Sequence, residues 1–85
     1  MEKRTFVVIG GKWFDKVNGN TYNSAKIIDT ESGKTYYSRF TYGYGSAYLT
    51  EARQYIREEL SVDDFEIIDG GSFYIKKADA KNGNF

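Results

Sequence analysis

A chain of 85 residues and 9.8 kDa has room for one domain, since domains run from about 50 to 250 residues. Twelve Lys+Arg against twelve Asp+Glu give a formal net charge of zero, so no overall field draws it to a polyanion or an anionic membrane. It holds neither Cys nor His, which excludes disulfides, thiol and imidazole catalysis and the usual zinc sites, while 40% hydrophobic and 18% aromatic residues are too many for a disordered chain.

Residues 1–5 lead directly into a strand pattern rather than a signal segment, and no apolar run approaches the length of a membrane span, which predicts a protein of the cytoplasm. Phe6-Val7-Val8-Ile9 reads as a strand that continues through Lys12-Trp13-Phe14, with Gly10-Gly11 between them read as a bulge. Asn18-Gly19 supplies the positive φ angles of a tight hairpin turn. Thr21 to Asp29 alternates as a second strand, and Glu31-Ser32-Gly33 turns it back. The third strand, Lys34 to Tyr42, places Tyr36, Ser38, Phe40 and Tyr42 on one side and Thr35, Tyr37, Arg39 and Thr41 on the other.

After Gly43-Tyr44-Gly45 the period lengthens to that of a helix, with Leu49, Ala52, Ile56 and Leu60 in one stripe and Tyr48 and Tyr55 beside it. Ser46 or Thr50 can cap its start. Residues 65–68 and 72–76 read as two short strands joined at Asp69-Gly70-Gly71, or as one strand with a bulge. The expected architecture is α+β: an antiparallel sheet, βββαβ or βββαββ, with one amphipathic helix on one face, forming a single domain over residues 1–77 and a frayed tail over 78–85. One helix leaves the second face open, so a homodimer or larger assembly is expected.

Seven of the fifteen aromatic residues fall between Tyr36 and Tyr55. Within this region Tyr42-Gly43-Tyr44-Gly45-Ser46-Ala47-Tyr48 joins a strand to a helix start, where glycines admit a ligand close to the backbone and unpaired N–H groups suit an anion. Tyr48 stands where a dinucleotide fingerprint needs its third glycine, so a Rossmann reading is rejected. The candidate ligand-binding set is Arg39, Tyr42, Gly43, Tyr44, Gly45, Ser46 and Tyr48; the alternative reading of the loop is a turn between two elements. Lys12, Trp13, Lys34, Tyr36 and Arg39 form a second candidate set, basic residues interleaved with rings as in proteins that hold single-stranded nucleic acid.

The zero net charge divides into +3 over residues 1–45 and −3 over 46–85. Residues 58–69 hold six acids (Glu58, Glu59, Asp63, Asp64, Glu66, Asp69) and no base, either a solvated surface or an imitation of nucleic-acid phosphates. Asp63, Asp64 and Glu66 do not match a calcium loop, the hydroxyls have no evident base, and no carboxylate pair has a defined spacing. No enzyme activity, cofactor or metal is therefore expected.

The block Gly11-Lys12-Trp13-Phe14-Asp15-Lys16-Val17-Asn18-Gly19-Asn20-Thr21-Tyr22, together with Tyr42-Gly43-Tyr44-Gly45, resembles small phage- and prophage-encoded proteins. The resemblance implies a source in a virus or mobile element, expression in the cytoplasm of a bacterial host, and no catalytic residues. Small phage proteins without catalytic equipment often act by binding. The leading expectation is thus a non-catalytic protein that inhibits a host or defence protein or sequesters a nucleotide-like ligand through the Tyr/Gly loop. The alternatives are a single-stranded nucleic-acid-binding accessory protein, a virion or assembly component, and a module whose open face serves only self-association.

Overall fold

In the computed structural model, which describes residues 4–43, 45–83 and 85, the first two strands are β1 (Arg4–Asp15) and β2 (Asn20–Asp29). They form an antiparallel hairpin from Phe6↔Asp29 to Asp15↔Asn20. Its turn is wider than a two-residue Asn-Gly turn and takes in residues 16–19. Asp15 organises it: the carboxylate accepts the N–H groups of Val17 at 3.0 Å and Asn18 at 3.3 Å and the Asn18 side-chain amide at 2.8 Å. Those bonds, the Asn18 side chain foremost, hold the Asp15 carboxyl below its ordinary pKa.

The third strand is divided into β3 (Thr35–Tyr37) and β4 (Thr41–Tyr42), both antiparallel to β2. Lys26 faces Tyr37 but Tyr22 faces Tyr42, so the third strand carries one residue more than β2 over the same span. Ser38 makes this insertion possible. Its N–H bonds to the Ala25 carbonyl at 2.9 Å, and its hydroxyl accepts the Ala25 N–H at 2.8 Å in place of a backbone carbonyl. Because side chains alternate with a period of two, the extra residue reverses the facing of everything after it. Tyr36 and Tyr42, which an unbroken strand places on one side, end on opposite faces of the sheet.

Helix α1 (Ala47–Glu58) lies across the first face and buries Tyr48, Ala52 and Ile56 against Phe6, Val8, Ala25 and Ile27. Each fully buried large apolar side chain in this cluster contributes about 1.5–3 kcal/mol. Leu49, Tyr55 and Leu60 complete the stripe from its margins. The chain leaves the helix through Ser61, a non-glycine residue at φ 56°, and the Val62 N–H reaches back to the Ile56 carbonyl at 3.1 Å. A left-handed conformation costs an L-residue with a Cβ about 1 kcal/mol. Ser61→Gly is therefore expected to stabilise the domain by about 0.5–1 kcal/mol, read as a rise of several degrees in a thermal melt.

Strand β5 (Phe65–Tyr74) pairs with β1 in parallel, giving the order β3-β2-β1-β5 with β4 also on β2. The sheet is thus mixed: the helix returns the chain to the end from which β4 set out, so the next strand runs the same way as β4 and β1. Of the two bulges read from the sequence, the structure has the second, at Asp69-Gly70-Gly71. It lies in β5, where Val8↔Asp69 is followed by Gly10↔Ser72, while Gly10-Gly11 of β1 stay in regular register with β2. The β1 glycines serve close approach instead. A Cβ on Gly10 would lie 2.6 Å from Cγ of Tyr48, and one on Gly11 would lie 2.9 Å from the Phe85 ring on the other face.

The C-terminal residues, expected to fray from residue 78, pack on that second face. Helix α2 (Lys77–Asn82) buries Ala80, whose carbonyl accepts the hydroxyl of buried Ser24 at 2.7 Å. The Phe85 ring meets those of Tyr37 and Phe73, and the Tyr37 hydroxyl donates to the Phe85 carbonyl at 3.2 Å. The small residues Gly11 and Ser24 leave the space this segment fills. The second face is consequently covered at its centre and open on either side.

Candidate functional site

The strand-to-helix loop separates into residues with different surroundings. Tyr48 is 5% exposed, and its hydroxyl donates to Asp69 at 2.7 Å, an oxygen that also accepts the Gly71 N–H at 2.8 Å. Burial, then the bond to Asp69 and its charge, raise the Tyr48 pKa, and the Tyr48 hydroxyl holds Asp69 below its ordinary value. Tyr48 is a core residue and offers no ring to a ligand. Gly43 is pressed against Ala47 and Asn23, and its carbonyl accepts the Asn23 amide at 3.1 Å. Gly45 and Ser46 are exposed in the turn before the helix, and the Ser46 side chain makes no capping bond. Tyr44 lies outside the described residues.

Arg39 lies in the insertion between β3 and β4 and lines a cavity of about 150 Å³ with Glu51, Gln54, Glu58 and Glu59. This is below the roughly 300–1,000 Å³ of ordinary small-molecule sites. The three carboxylates oppose an anion there, so Arg39 is not set up as a phosphate partner for the loop. Among the described residues no three carboxylates converge as a metal site would require.

The basic-aromatic set is likewise divided. Lys34 stands in the turn after β2, at the far end of the sheet from Trp13, and Tyr36 packs its ring beside Tyr55 of α1. Lys12 and Trp13 remain, joined by residues distant in sequence. Trp13 pairs across the hairpin with Tyr22, their ring centroids 5.8 Å apart. Tyr22 stacks on Phe40 at 5.4 Å and 13°, and meets the ring of Tyr42 edge-on at 5.8 Å. The insertion at Ser38 is what puts Phe40 and Tyr42 on this face. Four rings thus form one continuous platform at the hairpin end of the second face, with Tyr42 55% exposed at its margin.

Lysines stand on both faces of this end of the sheet. The Lys77 ammonium stands 5.0 Å from the centre of the Trp13 ring, and that of Lys12 stands 5.7 Å from Tyr74 on the opposite face. Trp13, Phe14, Lys16, Tyr74, Ile75 and Lys76 line a shallow open depression beside it. Asp15 is a nearby carboxylate, its pKa also lowered by the Lys77 charge. Lys12, Lys16, Lys76 and Lys77 against Asp15 and Asp79 leave this end basic.

The opposite end carries Glu58, Glu59, Asp63, Asp64 and Glu66, all exposed, next to Arg4 and Arg57. With a long dimension of 48 Å, the neutral chain is an electrical dipole with an aromatic-basic pole and an acidic pole. Phe40, Tyr74, Lys76 and Lys77 were not legible as site residues from their spacing along the chain; the clue was Tyr22, an aromatic residue opposite a tryptophan once the turn is four residues long.

No protein-family model, curated protein or solved structure matches this chain. Among the described residues no helix is long and apolar enough to cross a membrane.

Proposed function

We propose that this chain is a non-catalytic binding module that takes single-stranded nucleic acid at the aromatic-basic pole. The supporting observation is the four-ring platform of Trp13, Tyr22, Phe40 and Tyr42 with Lys77 over its tryptophan. Flat bases stack on such rings whatever their sequence, and lysines at the margin meet the phosphates. The ring centroids step by 5.4 to 5.8 Å from Trp13 through Tyr22 to Phe40 and Tyr42, a wider surface than one base covers, which favours a strand over a single nucleotide. A phage or prophage source, as the resemblance of the Gly11–Tyr22 block implies, suits a small accessory protein of this kind.

Trp13 is the one tryptophan of the chain, so its fluorescence reports on the platform directly. Titration with oligo-dT is expected to quench it, with thymidine monophosphate binding far more weakly. Trp13→Ala should weaken oligo-dT binding in an anisotropy assay by about 5- to 150-fold, from roughly 1–3 kcal/mol of stacking per base. Single-strand binding loses roughly 0.7 in the log-log salt slope per neutralised phosphate, so four lysines predict a slope of about −2 to −3. Absence of quenching, or binding indifferent to salt, would remove the proposal.

A second reading assigns the acidic pole to a basic groove on a host or defence protein, supported by the exposure of all six acids of residues 58–69. Reversing Glu58, Glu59 and Asp63 to lysine should then abolish capture of that protein from host lysate while leaving oligo-dT binding intact.

A further inference from the structure

We propose that the open part of the second face nearest the acidic pole joins two copies of this chain in a two-fold symmetric dimer. Side chains of one row across the strands are Ile68 of β5, Val7 of β1 and Ile28 of β2, followed by Thr35 of β3. Ile9 adjoins this row along β1. Ile68 is 52% exposed, and Val7, Ile9 and Ile28 are half-buried, so among the described residues this apolar strip stays partly open to water. The strip is bounded on one side by the C-terminal segment seated over Gly11 and Ser24.

What selects a second copy is the charge pattern. Glu66 pairs in register with Thr5, and Lys26 with Ile9. Each is therefore two residues along β1 from Val7 and one strand to the side, in opposite directions. A strand spacing of about 4.8 Å and a two-residue rise of about 6.7 Å put each charge roughly 8 Å from Val7. Among the described residues neither makes an ion pair within the chain. A two-fold axis in the plane of contact, passing over Val7 and perpendicular to the Lys26–Glu66 diagonal, lays Lys26 of one copy on Glu66 of the other, twice, and Val7 on Val7. Isologous interfaces require this self-complementarity, whereas an unrelated partner has no reason to produce it.

Sedimentation velocity on the full chain across a concentration series is expected to show a monomer–dimer equilibrium. Ile68→Asp should yield monomer with an unchanged far-UV circular dichroism spectrum. Lys26→Glu and Glu66→Lys, both polar exchanges that leave the core alone, should each weaken the dimer by roughly tenfold or more, since each opposes like charges twice. Combining them should restore it. A chain monomeric at every concentration, a dimer indifferent to Ile68→Asp, or a double reversal no tighter than the single ones would overturn the proposal. So would a dimer that survives Ile68→Asp and dissociates in salt, which would place the contact at the two poles.

Discussion

Replacing Gly10 by alanine is expected to cost about 2–3 kcal/mol, and replacement by valine to leave no folded population at ambient temperature. The added Cβ would sit 2.6 Å from Cγ and 2.9 Å from both Cδ atoms of the Tyr48 ring. These are the base of the ring, which cannot swing aside as the tip of a flexible side chain can. The ring is held at its other end by the hydroxyl bond to Asp69 and is covered by α1. Relief must then come from lifting the helix off the sheet, and overpacking in a close-packed interior costs about 1–3 kcal/mol or more. In a domain of this size the alanine variant should lose about 10–20 °C in melting temperature. A double-mutant cycle with Tyr48→Ala checks the cause: the Gly10→Ala penalty should largely disappear when the ring is gone. An undiminished penalty would place the strain elsewhere.

The second large effect concerns Asp29. Its side chain is 2% exposed, bonds to Arg4, accepts the Ser32 hydroxyl at 3.0 Å and accepts the Glu31 N–H at 3.0 Å. Burial by itself would push its pKa up, but the bonds from Glu31, Ser32 and Arg4, with the Arg4 charge, outweigh it and hold the carboxyl below 3.8. Asp29→Ala should cost about 2–4 kcal/mol, less than loss of a fully buried ion pair because Arg4 remains partly open to water. A depressed folded-state pKa means that the unfolded chain takes up the proton first. The stabilisation is fully present well above 3.8 and is lost as pH falls through and below that value. Urea denaturation between about pH 6 and pH 2 should show this decline, and Asp29→Asn should flatten it. A decline of equal depth in the Asn variant would assign acid sensitivity to other carboxylates.

Much of the fold was readable because it follows from local periodicity. The alternation in Phe6–Val8 and Ala25–Ile27 and the helical stripe through Ala52 and Ile56 each bury one face, and a one-residue slip would expose it, so strand and helix positions followed directly. The turn at residues 16–19 was less readable. Asn18-Gly19 invites a two-residue turn, which would set Trp13 opposite Ser24; the Asp15 carboxylate binding two N–H groups and the Asn18 amide widens it and brings Tyr22 to that position. The candidate loop fared similarly. A stretch of alternating Tyr and Gly looks like one surface, yet helical geometry turns Tyr48 inward while Tyr42 meets the ring of Tyr22 on β2.

The neutral charge and the excess of aromatic residues set the starting terms. Length, the absence of Cys and His, the α+β class and the division into +3 and −3 halves were determined by the sequence alone, because composition and short-period patterning act within a few residues. The tertiary structure decided what those residues do together. One inserted residue at Ser38 reverses the facing of Phe40 and Tyr42, a hydroxyl bond from Ser24 docks α2, and Lys77 comes to rest over Trp13. None of these follows from neighbours in the chain, since each depends on registers between strands and on a close approach between segments more than 12 residues apart.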